Sequence, residues 1–285
     1  MPIRELAAYF PDALAEEIML RADTLTEIRM RIGKKIQLVC TNGDAFVGQA
    51  VEPPVFRKLL LRMMDYSYYT REEELANGFF TLRNGCRVGV SGSFVHSEGR
   101  FVISHINSVC IRVARALPGC ASEIVGFISD SGYLRSTLIL SLPGFGKTSM
   151  LRDIARQLSQ RGYSTCIADE RHEIAACRDG IPTLDVGPRT DVIDGLPKTM
   201  AIELMLRSLS PQVIITDEIG NKRDAQILRE AVSKGISVIA SAHASGIDAF
   251  ERSKLGDLTA AGLFSIAVLL ADSPGSIREI RRYER

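Results

Sequence analysis

A glycine-rich segment in the middle of the chain is the feature that most constrains its fold. The apolar run Ser136–Ser141 leads into Leu142-Pro-Gly-Phe-Gly-Lys-Thr148, and residues 149–161 have the composition of a helix. A strand, a glycine-rich turn and a helix in this order form a phosphate-binding loop (P-loop). A tight turn without a ligand is the alternative, but the Gly-Lys-Thr ending is specific in this context. The segment therefore predicts an α/β domain that binds a nucleotide.

Each part of this loop has an expected role in holding the nucleotide. Gly144 and Gly146 let consecutive backbone N–H groups face a polyphosphate, and the N-terminus of the following helix adds partial positive charge. We expect Lys147 to reach the β- and γ-phosphates and Thr148 to hold Mg²⁺. Ser141 replaces the first glycine of the motif, so the turn is expected to differ slightly there. The expected ATP-binding residues are Leu142, Pro143, Gly144, Phe145, Gly146, Lys147, Thr148 and Ser149.

Two carboxylates follow a later apolar run, Val213–Thr216. Asp217 and Glu218 would be costly at the end of a buried strand unless they met a cation. We therefore expect Asp217 to hold Mg²⁺ through water, and Glu218 to orient or deprotonate the attacking water. A solvated Asp-Glu turn is the alternative.

A second acidic cluster, Asp169, Glu170 and Glu173, ends the preceding predicted strand. Three carboxylates cannot all be ionised in one dry site, so we expect them to share Mg²⁺, Arg171 or water. Glu170 and Glu173 therefore compete with Glu218 for the role of catalytic base. A salt-bridged strand exit without a catalytic role is the other interpretation.

A histidine lies just past the end of a third apolar run. His243 follows Ser237–Ala242, which places the imidazole where it can sense the γ-phosphate. A lone histidine is more often structural, but together with the P-loop and the acidic pair we favour sensing.

The first part of the chain has an irregular pattern of short β-prone runs broken by Gly and Asn. A helix or two is expected in residues 1–20, and another helix at about Pro54–Tyr66. The expected strands are Ile36–Cys40, Gly78–Leu82, Arg87–Ser91, Phe101–Ile103 and Val109–Val113. We expect residues 1–118 to form a small α+β amino-terminal domain.

The second part, residues 119–285, alternates apolar runs with helical segments. This alternation is typical of a mostly parallel α/β sheet flanked by helices. The expected strands are Ser136–Leu142, Ser164–Asp169, Val213–Asp217 and Ser237–Ser241. Their nearly continuous apolar character is expected of strands covered on both faces.

The composition is that of an ordinary globular protein. The 285 residues are 46% hydrophobic and 24% charged, with a formal net charge of +1, which excludes disorder and coiled coil. Charge is balanced in both halves, so no dominant nucleic-acid surface is expected. The amino terminus and the longest apolar run, Leu263–Ala271, are too short in apolar length for a signal peptide or a membrane helix. The six cysteines form no CxxC pair and are expected to be buried thiols in a reducing compartment.

Several motifs resemble, in order and spacing, the stage III sporulation protein AA family, which is itself similar to the hexameric ATPases of type II and type IV secretion. In the second part they are Asp169-Glu-Arg-His-Glu-Ile-Ala175, Asp185-Val-Gly-Pro-Arg-Thr-Asp191, Leu196-Pro-Lys198, Arg207-Ser-Leu-Ser-Pro211, Asp217-Glu-Ile-Gly220 and Ala242-His243. In the first part they are Glu27-Ile-Arg-Met-Arg31, Gly85-Cys-Arg-Val-Gly89 and Ile111-Arg-Val-Ala-Arg115.

The resemblance implies a cytoplasmic ATPase of the mother cell, using ATP and Mg²⁺, with a RecA-like core in residues 119–285. It implies a homo-oligomeric, hexameric ring that energises a channel complex between mother cell and forespore. The implied partners are membrane-embedded channel subunits, so membrane association would come through a partner and no nucleic acid is expected.

The resemblance also implies a role for two arginines. In the related secretion ATPases the segment just before the core supplies arginines that reach the nucleotide, and here that segment offers Arg112 and Arg115. Arginine suits this task because its planar guanidinium spreads charge over phosphate oxygens. Ion pairing on the strand surface is the alternative for both.

Three other functions are compatible with a P-loop. The absence of Trp and the 6% aromatic content argue against a nucleic-acid-dependent RecA-like motor. Glu218 argues against a non-hydrolysing switch that scaffolds a membrane complex, because a pure binder has little use for a base. The Asp217-Glu218 pair favours water over a substrate hydroxyl as nucleophile, which argues against a small-molecule kinase.

Overall fold

The computed structural model describes residues 2–66, 72–76, 78–82, 84–97, 100–113, 117–130, 132–177 and 180–283. The chain forms two compact units, Met1–Arg115 and Ala116–Arg285. The sequence predicts the boundary after residue 118.

The first unit is built on one antiparallel sheet. Its described elements are α1 (Pro2–Ala7), α2 (Asp12–Leu20), β1 (Leu25–Arg31), β2 (Ile36–Cys40), β3 (Ala45–Val47), α3 (Pro53–Met63), α4 (Glu72–Ala76), β4 (Phe79–Thr81), β5 (Arg87–Ser97) and β6 (Arg100–Arg112). The strand order is β3-β2-β1-β6-β5-β4. Ile28, Met30 and Leu38 of the sheet are fully buried with Phe56 of α3, so the core lies between the sheet and the helices.

Two strands of this unit differ from the sequence prediction. The expected strand Phe101–Ile103 and most of the expected strand Val109–Val113 are parts of the single long strand β6, which ends at Arg112, and β5 extends beyond the expected Arg87–Ser91. The polar segment between them stays in β6 because its backbone pairs with β5 on both sides of two register shifts, which fall at Ser104 and Asn107. Backbone pairing of this kind leaves no apolar alternation in the sequence.

The second unit contains the P-loop. Its described elements are α5 (Ser122–Ile128), β7 (Ser129–Asp130), β8 (Tyr133–Leu134), β9 (Thr137–Ser141), α6 (Lys147–Gln160), β10 (Thr165–Asp169), β11 (Thr190–Asp194), α7 (Lys198–Ser208), β12 (Val213–Thr216), α8 (Lys222–Ser233), β13 (Ser237–His243), α9 (Ile247–Glu251), α10 (Asp257–Ala260), β14 (Ile266–Leu270) and β15 (Ile277–Arg282). Among these helices none is long and apolar enough to cross a membrane.

Seven strands form the main sheet in the order β11-β10-β12-β13-β9-β14-β15. All neighbours are parallel except the antiparallel pair β14 and β15. Leu138 and Leu140 of β9 belong to one buried cluster and Ile139 to the other. Side chains thus alternate between two covered faces, which explains the continuous apolar runs in the sequence.

Parallel order brings the carboxyl ends of the central strands to one edge of the sheet. β9, β10 and β13 end at Ser141, Asp169 and His243, and Asp217 directly follows β12. Ligands of open parallel sheets bind at this edge. The polar residues singled out in the sequence therefore converge on one place.

Candidate active site

The loop between β9 and α6 has the backbone that its glycines allow. Gly144 and Gly146 have φ angles of 87° and 90°, in the left-handed region that glycine adopts readily. Gly146 is the N-cap of the 14-residue helix α6 and carries no side chain to occupy the helix N-terminus. The first turn of α6, which contains Lys147, Thr148 and Ser149, is half-buried. This is the geometry of an anion-binding helix N-terminus.

Gly146 is also required by packing. A Cβ atom at this position would lie 2.8 Å from the backbone N of Gly275 and 3.2 Å from Cα of Pro274. Gly275 in turn leaves no room for a Cβ, which would lie 2.9 Å from Cβ of Cys120. The P-loop therefore rests on the turn between β14 and β15, which the sequence pattern does not reveal.

Ser141, which replaces the first glycine of the motif, fits as an ordinary strand residue. It is buried at the end of β9, and its Oγ donates to the carbonyl oxygen of Leu142 at 2.7 Å. The Nζ of Lys147 lies 3.3 Å from both the carbonyl oxygen and the Oγ of Ser141. The serine thus supplies an acceptor for the P-loop lysine.

A line of side chains connects the P-loop lysine to the acidic pair. Lys147 Nζ lies 3.0 Å from Nδ1 of His243, and Nε2 of His243 lies 2.9 Å from Oε1 of Glu218. Oε2 of Glu218 accepts from Arg171 at 2.7 Å. An ammonium group only donates, so Nδ1 of His243 accepts and the imidazole proton lies on Nε2, facing Glu218.

Glu218 itself has an unusual backbone. Its φ angle is 35°, and a non-glycine residue in the left-handed region costs about 1–3 kcal/mol. Strain of this size persists where surrounding contacts over-determine the conformation, and it is frequent at active sites. The N–H of Glu218 donates to Oγ of Ser241 at 3.0 Å, and the N–H of Ile219 donates to the carbonyl oxygen of Ser241 at 2.8 Å.

Burial changes the pKa of Lys147 in this line and of Asp217, the residue before Glu218. Burial lowers the pKa of the Lys147 ammonium, and the negative charge of Glu218 opposes that shift. Burial raises the pKa of Asp217 to about 6; Lys198 lowers it, while Asp169 and Glu173 raise it further. A nearby cation stabilises the ionised form of such a buried carboxyl group.

The second acidic cluster does not act as one group. Asp169 is fully buried, and its carboxylate accepts the backbone N–H groups of Glu173, Ile174 and Ala175 at 2.8, 3.0 and 2.8 Å. Burial raises the pKa of Asp169 and these three bonds oppose that shift. Asp169 therefore anchors the loop that follows β10.

The other members of the cluster point to different partners. Oε2 of Glu170 lies 4.0 Å from Nζ of Lys198, and Glu173 is half-buried and near enough to Asp217 to raise its pKa. The sequence predicts that the cluster shares Mg²⁺, Arg171 or water. The structure places Arg171 on Glu218.

The family model described as sporulation stage III, protein AA, matches residues 3–285. The chain belongs to this family. It is 36% identical over 292 residues to stage III sporulation protein AA of Bacillus subtilis (strain 168), covering 98% of this chain and 94% of the relative.

Two solved structures share the fold of this family member. The Legionella pneumophila ATPase DotB has a TM-score of 0.61 at 16% identity, over 91% of this chain and 76% of that chain. The pilus retraction motor PilT, solved with bound ADP, has a TM-score of 0.59 at 14% identity, over 89% and 76%. These likenesses concern the fold, and they confirm the RecA-like α/β core with a smaller α+β part.

The two arginines expected from the family differ in what the structure describes. Arg112 is the last residue of β6; its side chain is 70% exposed, and its Nε lies 3.9 Å from Oε1 of Glu27. That contact is the surface ion pair that the sequence leaves as the alternative. Arg115 lies outside the described residues.

Two residues that sequence reasoning gives no role support the site. Arg152 of α6 is buried and donates to the backbone carbonyl oxygens of Ile174 and Glu173, which ties the P-loop helix to the acidic loop. Lys198 is buried beside Asp217. The sequence signal for Lys198 is its place in the family motif Leu196-Pro-Lys198, whereas nothing in the sequence marks Arg152.

Proposed function

We propose that this chain binds ATP with Mg²⁺ and hydrolyses it. The observation that carries the proposal is the line of contacts from Lys147 through His243 to Glu218. It joins a phosphate-binding lysine to a carboxylate suited to orient or deprotonate water. The fold shared with DotB and PilT supports the same class of activity.

The residues present fit a magnesium nucleotide. Backbone N–H groups of residues 144–149 and the N-terminus of α6 suit the phosphates, with Gly144 and Gly146 in left-handed conformations. Thr148 and Asp217 would hold Mg²⁺, which neutralises charge on phosphate oxygens when bound. The described residues contain no cluster of three or more His, Cys, Asp or Glu able to hold a metal alone. Magnesium commonly needs only one or two carboxylates together with substrate phosphates.

Glu218 is the better candidate for the base. It contacts His243, which contacts Lys147, so its carboxylate lies one side chain away from the phosphate-binding lysine. Glu170 is instead directed to Lys198. Glu173 remains a second candidate because it lies close enough to raise the pKa of Asp217.

We propose that His243 senses whether Lys147 is bound to a phosphate group of the nucleotide. Lys147 Nζ now donates toward Nδ1 of His243. When Lys147 turns to a phosphate oxygen, Nδ1 of His243 loses this donor. Nε2 of His243 holds Glu218 at the same time, so the change reaches the proposed base.

In the cell we propose that hydrolysis energises a channel complex between mother cell and forespore. Family membership and the secretion-ATPase-like fold support this role. We propose a homo-oligomeric, hexameric ring in the mother-cell cytoplasm, docked on membrane-embedded channel subunits and acting without nucleic acid. Arg112 and Arg115 are proposed to reach the nucleotide in the assembled ring.

The test is phosphate release from Mg-ATP by the wild type, Glu218→Gln and a control, Glu230→Gln, on the exposed face of α8. Turnover that rises with protein concentration, ignores single-stranded DNA and is lost only in Glu218→Gln is the expected result. Bound ATP without turnover would indicate a switch, and stimulation by DNA would indicate a nucleic-acid motor. Full turnover by Glu218→Gln would move the base to Glu170 or Glu173.

A further inference from the structure

Lys198 occupies a position that its own helix disfavours. It is the first residue of α7, after the N-cap Pro197, and a cation at a helix N-terminus opposes the helix dipole. The residue is also 8% exposed, and burial of an ammonium group is unfavourable unless it is well paired. Contacts outside α7 must therefore account for the lysine.

These contacts are made to backbone atoms. Nζ of Lys198 donates to the carbonyl oxygen of Asp217 at 2.8 Å and to that of Glu218 at 2.7 Å. The nearest carboxylate oxygens are farther away, at 3.9 Å for Asp217 Oδ1 and 4.0 Å for Glu170 Oε2. The hydrogen bonds of the ammonium thus fix the course of the chain, and its charge acts on the carboxylates from a longer distance.

The fixed segment is the one that needs support. Glu218 has a φ angle of 35°, and its N–H is held by Oγ of Ser241. Lys198 holds the carbonyl groups on both sides of the Glu218 α-carbon. With these bonds the residue is restrained at its amino and carboxyl sides, and its side chain is directed to His243.

We propose that Lys198 is a positioning residue that holds Glu218 in its left-handed conformation and so aims the carboxylate at His243 and the P-loop. The inference rests on the proposed function, in which Glu218 is the catalytic base. It predicts that loss of Lys198 lowers turnover more than it weakens nucleotide binding, because the P-loop itself is untouched.

The experiment compares full-length wild type with Lys198→Met, which removes the charge and the donors at similar length. Lys234→Met is the matched control, because Lys234 is exposed at the C-cap of α8 and among the ion pairs described it pairs only with Glu230. The first readout is kcat and KM for Mg-ATP. The second is the side-chain ¹⁵N spectrum of His243 without nucleotide, assigned with His243→Gln among the four histidines of the chain.

We expect Lys198→Met to lower kcat by about 100-fold with little change in KM, as for a misplaced catalytic group. The His243 signals should move because Glu218 leaves Nε2, while Lys234→Met matches the wild type in both readouts. Lys198→Arg, which retains a charged donor, should recover part of kcat.

Wild-type kcat or an unmoved His243 spectrum in Lys198→Met would overturn the inference. If that variant does not fold, Lys198→Gln is measured under the same criteria, since its side chain is too short to reach both carbonyl groups. A wild type that releases no phosphate would instead refute the proposed hydrolysis, and the His243 spectrum would still decide whether Lys198 positions Glu218.

Discussion

Nε2 of His243 lies 2.9 Å from Oε1 of Glu218. The same ring accepts from Lys147 through Nδ1, so one imidazole joins the end of β13 to the P-loop and to the strand end of β12. The parallel neighbours β12, β13 and β9 bring these three residues together although they lie far apart in sequence.

Replacing the imidazole should uncouple the two groups. We expect His243→Ala to lower kcat by about 100-fold, comparable to loss of one aligned donor at an active site. Nucleotide affinity should change little, because Lys147 keeps its own contacts with the loop. Steady-state phosphate release and titration with fluorescent ADP measure the two effects. His105→Ala, on the exposed face of β6, is the control, and equal kcat values in both variants would make His243 merely structural.

The P-loop lysine should carry much of the binding. A hydrogen bond to a charged group contributes about 1.5–3 kcal/mol, so Lys147→Ala should weaken ADP binding by at least about tenfold. Calorimetric titration measures this directly. Lys254→Ala changes an exposed lysine of the same unit and should bind as the wild type does. Undiminished binding by Lys147→Ala would contradict the site.

Asp153 should make the stability of the protein depend on pH. Burial by itself raises the pKa of this carboxyl, but bonds from the backbone N–H of Ala121 and the side chains of Arg156 and Gln157 lower it below the ordinary value. A lowered pKa in the folded state means that the ionised carboxylate stabilises the fold above the unfolded pKa of about 3.9. That contribution is lost as the pH falls through the folded pKa.

Asp153→Asn should therefore lower the free energy of unfolding by about 2 kcal/mol at pH 7. The difference from the wild type should shrink in acid, below the pKa of a free aspartate. Urea unfolding, followed by circular dichroism at pH 7 and at the acidic pH, measures this difference in the free energy of unfolding. Asp130→Asn alters a carboxyl whose side chain is 57% exposed and should show neither effect, whereas a pH-independent loss in Asp153→Asn would exclude a role of its charge.

The two P-loop glycines should differ in their tolerance of a side chain. Both have φ near 90°, so either change to Ala brings backbone strain of about 1–3 kcal/mol. Only at Gly146 does the new Cβ also meet another segment, at 2.8 Å from the N atom of Gly275, since nothing lies within 4 Å at Gly144. Gly146→Ala should thus lower the thermal midpoint more than Gly144→Ala and weaken ADP binding more. Equal losses of thermal midpoint and of ADP binding in the two variants would show that the turn at Pro274 and Gly275 shifts to accommodate the new Cβ.

The sequence predicts those parts of the site that depend on local chemistry or on strand order. Gly144 and Gly146 are recognisable because a P-loop needs left-handed residues there, and Asp217 and His243 because both stand at the ends of apolar runs. Parallel strands place such ends at one edge. This reasoning needs no knowledge of which side chains touch.

Long-range contacts explain what the sequence does not predict. Lys198 binds carbonyl groups 19 and 20 positions later, and no spacing rule relates a helix start to a strand end. Arg171 is one of three partners that the sequence offers the acidic cluster, with Mg²⁺ and water, and it pairs with Glu218. Asp169 accepts three backbone N–H groups. Backbone pairing of this sort leaves no mark in residue type.

Gly146 lies against the turn at Pro274 and Gly275, so the hairpin formed by β14 and β15 supports the P-loop. Strand β15 lies at the edge of the main sheet that the described residues form. A change that bends this hairpin therefore moves the residues on which Gly146 packs. A substitution in the β14–β15 hairpin should therefore weaken nucleotide binding before it unfolds the protein.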